Sequence, residues 1–142
     1  MTSHIYDLGK RLFSPQEWPH LAVSLEKSLP QHTRTLFVDG RLAGFVVVTP
    51  YETESHIAYL AYCGVDPAYQ GKGFGSKLLK ETIQSIFQAE FGSCRLLVDS
   101  WNVDARRLYT RLGFQHVAYV QDACGGACEL MELMRAAHSG QN

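Results

Sequence analysis

No stretch of this 142-residue chain stays apolar for the roughly 20 residues that a bilayer-spanning helix needs. The start, Met1-Thr2-Ser3-His4-Ile5-Tyr6-Asp7, also lacks the basic-then-apolar order of an export signal. The expectation is a soluble, cytoplasmic protein. An excess of one charge is missing too: 13 Lys and Arg against 14 Asp and Glu leave a net charge of −1, without the basic surplus of a nucleic-acid binder. The four cysteines form no CxxC pair, and Cys124-Gly125-Gly126-Ala127-Cys128 has no second ligand pair nearby, so no metal site is expected. Reduced thiols are the default, with a Cys124–Cys128 bridge left open. No linker or internal repeat divides the chain. One domain over residues 1–142 is expected, with one core, a short N-terminal segment and a loose tail from about residue 136.

What the chain does have is glycine in one place. Gln70-Gly71-Lys72-Gly73-Phe74-Gly75-Ser76 puts three glycines between a strand-like segment and a helix-like one. Glycine admits φ > 0 and has no Cβ, so successive backbone amides can point into one concavity, and a helix starting there adds its unpaired first-turn donors. Such a heptad is an anion cradle or simply a strand-to-helix turn. Residues 72–111 carry seven Lys or Arg against four acids, which suits a phosphorylated guest near the loop.

The surrounding elements follow from period and punctuation. Residues 33–38 and 42–51 are β-rich and joined by Asp39-Gly40, a hairpin signal; residues 55–65 form a third strand ended by Asp66-Pro67. Phe74, Leu78, Leu79, Ile83, Ile86 and Phe87 recur at helical spacing up to Phe91-Gly92. Residues 95–99 are a short strand, and Asn102 precedes a helix with Ala105, Leu108, Tyr109 and Leu112 on one face, ended by Gly113. Residues 114–121 and 127–134 read as a closing strand pair. Before all of these, residues 15–28 suit a helix begun by Ser14, and residues 3–7 a first strand. The result is an α/β (α+β) domain with a mixed, mostly antiparallel sheet of six to seven strands flanked by helices.

Spacing separates the phosphate-binding chemistries. A Walker loop needs GxxxxGK[ST], but Gly75 is followed by Ser76 and only then by Lys77. A dinucleotide fingerprint needs its third glycine one place later and near the start of a parallel fold. What does match is Gln70-x-x-Gly73-x-Gly75 after Cys63-Gly64-Val65-Asp66-Pro67, together with Asn102-x-x-Ala105-x-x-Leu108-Tyr109-x-x-x-Gly113-Phe114. These two motifs, in this order, resemble the GNAT superfamily of N-acetyltransferases. The resemblance runs from about Thr33 to Met134 and is poor before it.

The resemblance implies acetyl-CoA as co-substrate, with no metal. It implies that backbone amides of Gln70, Gly71, Lys72, Gly73, Phe74 and Gly75, with the Ser76 hydroxyl, hold the pyrophosphate. The strand through Cys63, Gly64 and Val65 would pair with the pantetheine arm, and the Val65 N–H would stabilise the thioester oxygen. Asn102, which by position is also a helix cap, would bond the pantetheine arm. Tyr109, which by periodicity is a core aromatic, would protonate the departing thiolate. A general base is not identified: where family members place one, this chain has Tyr59, Ala61 and Leu97, and Glu52, Glu54, His56, Asp99 or a water chain stay open. Cys63 as an acyl-carrying nucleophile is a minor alternative to a simply buried thiol.

The acceptor is expected opposite the cofactor, bordered by residues 13–29, 51–54 and 122–127. Glu17, Glu26, Glu52, Glu54 and Asp122 make that rim acidic and favour a cationic amine, either a small molecule or a peptide. The expected function is direct acetyl transfer to a primary amine by a monomer or homodimer, without nucleic-acid or membrane partners. The alternative is a catalytically weak or inactive CoA-binding module.

Overall fold

The structure, a computed structural model, describes residues 2–122 and 124–136. Its elements are α1 (Thr2–Leu12), a 3-10 turn (Pro15–Glu17), α2 (Trp18–Glu26), β1 (Arg34–Val38), β2 (Arg41–Pro50), β3 (Ile57–Val65), a second 3-10 turn (Pro67–Tyr69), α3 (Phe74–Gln88), β4 (Ser93–Asp99), α4 (Val103–Arg111), β5 (Gln115–Gln121) and β6 (Ala127–Met134). Six strands form one sheet in the order β1-β2-β3-β4-β6-β5. Only β3 and β4, joined through α3, run parallel; every other pair is antiparallel. The mixed α/β architecture read from the sequence is the one observed.

Alternation along β2 decides which helices lie on which face. Phe45 and Val47 pack with Ile5, Leu8, Leu21 and Leu25 of α1 and α2. Val46 and Val48 pack with Leu78, Leu79, Ile83 and Ile86 of α3 on the other face. Side chains one residue apart on a strand point to opposite faces, so a continuous apolar run serves two cores. Each fully buried Leu or Ile there stabilises the fold by roughly 1.5–3 kcal/mol. The β1–β2 turn has φ of 51° at Asp39 and 79° at Gly40, the positive pair that an Asp-Gly hairpin requires.

One expected element is wrong. Residues 3–7 are not a strand but part of α1. Ile5 and Leu8 are fully buried, and Leu12 packs beside them, a spacing of three and four that only a helix places on one face. Five alternating residues were too short a run to outweigh it. The expected helix over residues 15–28 is there as the 3-10 turn plus α2. Beyond Ala136 the expected loose tail lies outside the described residues. No helix among the described residues is long and apolar enough to cross a membrane.

Helix α4 has no fully buried residue, so polar contacts matter to its placement. Glu129 of β6, 5% exposed, accepts hydrogen bonds from Arg106 Nε on α4 (2.9 Å) and from the His116 ring on β5 (2.7 Å). Burial pushes the Glu129 carboxyl up, but the bonds from Arg106 and His116 outweigh it and hold it below its ordinary value. A carboxyl lowered by folding stabilises above its unfolded value, and that contribution disappears as pH falls through the folded value. Glu129→Gln should therefore cost about 2 kcal/mol in urea unfolding near pH 7, a difference that fades by pH 3. An unchanged difference across that range would contradict this role.

Candidate active site

Each of the two parallel strands keeps its antiparallel partner to its end. β3 stays with β2 as far as Val65 opposite Gly44, and β4 stays with β6 as far as Asp99 opposite Cys128. Between them pairing stops early: residues 57–60 face residues 93–96, and nothing beyond is bonded. The register of β2 on β3 shifts between Val47 and Val48, leaving Ala61 as an extra residue in β3 at the point where the strands part. A bulge adds local twist and bends its strand, which opens the wedge.

The wedge exposes donors. The Asp66 N–H bonds the Ala43 carbonyl (2.8 Å) on the β2 side. Amides of an antiparallel strand alternate in direction, so those of Cys63 and Val65 face the open edge. The Val65 carbonyl, on the same edge, accepts from Gln70 Nε2 (2.9 Å), fixing the loop to the strand end. Asp66, 4% exposed, accepts from the Ala68 N–H (3.0 Å) and from Arg11 Nη2 (3.3 Å). The Ala68 amide, with Arg11 and against burial, keeps its carboxyl below the ordinary range.

The glycine heptad follows at once. Gly71 and Gly73 have φ of 76° and 81°, a left-handed backbone that other residues adopt at a cost of roughly 1–2 kcal/mol. Gly73 caps the 15-residue α3 without a side-chain bond. The amides of residues 71–76 donate to no acceptor among the described residues; Lys77, bonded to the Gly73 carbonyl (3.1 Å), is the first that does. Six free amides at the positive end of a helix form a cradle suited to an anion.

A cleft of about 400 Å³ passes through the sheet at the wedge. On the α3 and α4 side its lining includes Leu79, Asn102, Ala105 and Tyr109; on the α1 and α2 side it includes Phe13, Glu17, His20 and Ser24. Asn102 Oδ1 accepts from the Ala105 N–H (3.2 Å), so the capping reading holds, and the two Nδ2 protons stay available to the cleft. The Tyr109 ring is half-buried, edge-on to Phe114 with 5.8 Å between centroids. Burial, then the neighbouring Cys63 thiol, raises the Tyr109 hydroxyl well above its ordinary value, so it holds its proton. The core-packing reading of this tyrosine holds, and its ring also lines the cleft.

The residues expected at the base positions, Tyr59, Ala61 and Leu97, all line the cleft. Of the open candidates, Asp99 lines it as well. Glu52 pairs with Lys27 (3.0 Å) and lines a neighbouring hollow, and Glu54 is an exposed residue of the same turn. His56 precedes the paired end of β3, about 30 Å from Val65 at the usual rise per residue. Of the acidic rim, Glu17 and Asp122 face the cleft and Glu26 does not.

Two features had no signal in the sequence. Tyr62 donates to Glu17 Oε2 (2.7 Å) across 45 residues. Cys128 faces Asp99 Oδ1 and Asp122 Oδ2, each at 3.6 Å, and the three ligand atoms lie within 4.8 Å of one another. Burial, then Asp122 and Asp99, pushes the Cys128 thiol up to about 12, so it keeps its proton as a donor to these carboxylates. Cys63, pushed up to about 11 by burial, is likewise protonated, which argues against an acyl-carrying thiolate. All four cysteines are free. Iodoacetamide at pH 7.5, read by mass spectrometry, should label exposed Cys124 while leaving Cys63 and buried Cys94 unmodified in the folded protein. Prompt labelling of half-buried Cys63 would contradict its raised thiol.

The open strand edge with its free amides runs towards the anion cradle, and the cleft between them is lined from both faces of the sheet. The chain belongs to the acetyltransferase (GNAT) family, whose profile matches residues 3–114, and it is accordingly an acetyl-CoA-dependent N-acetyltransferase. The match takes in α1 and α2, so the resemblance begins well before Thr33. The chain is 36% identical over 119 residues to the N-alpha-acetyltransferase RimI of Mycobacterium tuberculosis, covering 78% of this chain and 70% of that protein. It is 35% identical over 88 residues to the spermine/spermidine N(1)-acetyltransferase of Bacillus subtilis, covering 56% of this chain and 57% of that one. The crystal structure of Ard1 from Thermoplasma volcanium superimposes with a TM-score of 0.79 at 23% identity over 94% of this chain and 93% of that one, a likeness of fold.

Proposed function

We propose that the protein transfers an acetyl group from acetyl-CoA directly to a primary amine of a cationic acceptor. The observation that carries this reading is the line of free amides from the wedge to the cradle, Cys63 and Val65 first and residues 71–76 after them. Acetyl-CoA supplies an acetyl thioester on a pantetheine arm that ends in a pyrophosphate. The cradle of Gly71, Lys72, Gly73, Phe74 and Gly75 suits the pyrophosphate, with Ser76 in the first turn of α3 adding its hydroxyl; the Gln70 N–H, expected to join them, is bonded to the Pro67 carbonyl instead (3.4 Å). The edge through Cys63, Gly64 and Val65 suits the arm, joined by the free Nδ2 of Asn102 from across the cleft. The Val65 N–H is the proposed donor to the thioester oxygen, a role worth typically 10²–10³ in rate where one such donor has been removed. Tyr109 holds its proton until the departing sulfur takes it.

The acceptor reaches this point from the α1 and α2 side, past Glu17 and Asp122. A hollow of about 450 Å³ shares His20, Ser24 and Tyr59 with the cleft and extends towards residues 50–53, which supports an elongated acceptor such as a peptide or a polyamine. The names of the two relatives point to both kinds of amine. Ala123, in the loop expected to border the acceptor, lies outside the described residues. Free thiols support a cytoplasmic setting.

Thermal unfolding and thiol release test this together. CoA at about 100 times its Kd should stabilise the protein by roughly 2.7 kcal/mol, and ATP or NAD should not. Tyr109→Phe should lower kcat about 10²-fold while CoA stabilisation persists. Stabilisation by ATP or NAD and not by CoA would overturn the reading. CoA stabilisation without thiol release for any amine would favour an inactive CoA-binding module.

A further inference from the structure

An alkylammonium with a pKa near 10.4 is almost fully protonated at neutral pH, and its nitrogen has no lone pair to attack with until a proton leaves. The strand positions nearest the wedge, Tyr59, Ala61 and Leu97, carry no group that accepts one. Three carboxylates line the cleft: Glu17, Asp99 and Asp122. Asp122 Oδ1 is occupied by the Cys124 and Gly126 amides (2.9 and 2.7 Å), and its Oδ2 shares the single Cys128 thiol proton with Asp99. That pair is already engaged in holding the β5–β6 turn against β4.

Glu17 differs in kind. It lies at the start of α2, on the side from which the acceptor comes, and Tyr62 of β3 holds its Oε2 at 2.7 Å. Tyr62 immediately precedes Cys63, whose amide faces the wedge, so the hydroxyl ties the carboxylate to the strand that lines the donor path. The phenol, raised well above its ordinary value by burial and then by Glu17, has only a proton to give. A carboxylate offers about four acceptor positions, and the bonds from Tyr62 and Cys124 leave room for an ammonium. Tyr59 from β3 and Cys124 from the β5–β6 turn also interact with it, and His20 of α2 and Asp122 line the same cleft.

We infer that Glu17, oriented by Tyr62, receives the acceptor ammonium and takes its proton. This rests on the acetyl-transfer reading above. Glu17 as carboxylate removes one proton from R–NH3⁺; the amine nitrogen then forms the N–C bond as the C–S bond breaks. The sulfur leaves with the Tyr109 proton, the second amine proton restores the phenol, and Glu17 passes its proton to water, so the sum is amide, free thiol and one proton. Glu17 is a catalytic residue, and Tyr62 a positioning residue acting through it.

The test is thiol release from acetyl-CoA with spermidine and with an alanine-led hexapeptide, from pH 7 to 9. Glu17→Gln should lower kcat/KM about 10²-fold at pH 7 with whichever acceptor the unmodified protein uses. The deficit should shrink towards pH 9, because solvent then supplies free amine. Tyr62→Phe should show a smaller loss of the same pH dependence, and CoA should stabilise both variants as it does the parent. Activity of Glu17→Gln within twofold of the parent, or a deficit that pH leaves unchanged, overturns the assignment alone. So does a pH-rescued loss in Asp99→Asn that Glu17→Gln lacks. A parent that CoA stabilises but that turns over neither acceptor overturns the transfer reading, and the role of Glu17 with it.

Discussion

The site depends on one constraint: β3 and β4 cannot remain paired. β3 is held by β2 to Val65, β4 by β6 to Asp99, and the extra residue at Ala61 turns one strand away from the other. Unpaired strand edges inside a domain normally carry a cost, because their amides lose water without gaining an acceptor. Here the edge opens into a cleft, and the elements flanking it are placed to use what it exposes. The Asp66 turn, bonded to Ala68 and Arg11, directs the chain from the end of β3 into the glycine cradle, and Glu129 holds α4 across from it. The free amides of the strand end and those of the loop thus lie on either side of the Asp66 turn, whose own amides are engaged.

Proton positions follow from burial in the same cleft. Tyr109 and Cys63 retain their protons, because burial disfavours the anion. The donor side is therefore rich in groups that can give a proton and poor in groups that can take one. Proton-accepting capacity lies on the opposite face, with the carboxylates of Glu17, Asp99 and Asp122. This asymmetry matches a reaction in which the leaving sulfur gains a proton and the incoming ammonium loses one. Nucleophilic catalysis by Cys63 does not fit it.

Much of this was legible in the chain. Asp39-Gly40, Asp66-Pro67, the helical row from Phe74 to Phe87 and Asn102 before α4 are local signals, and each marks an observed boundary. The cradle was legible because φ > 0 at two glycines leaves its mark in residue type. Helix α1 was missed because residues 3–7 alternate over too few positions, while the three-and-four spacing that decides the matter extends to Leu12. The Ala61 bulge left no trace, since alanine is acceptable in or out of register. Tyr62–Glu17 and Cys128–Asp99–Asp122 join segments distant in sequence, and only the folded sheet brings them together. Sequence motifs located the donor half; the proton-accepting face is a product of tertiary packing.

On the proposed function, the open β3 edge and the glycine cradle bind CoA together. Amide hydrogen exchange resolved by residue, with and without saturating CoA, tests it most directly. The amides of Cys63, Val65 and residues 71–76 should exchange freely in the free protein and slow together by at least about tenfold when CoA binds. Protection confined to other elements, or cradle amides that slow while Cys63 and Val65 do not, would contradict it.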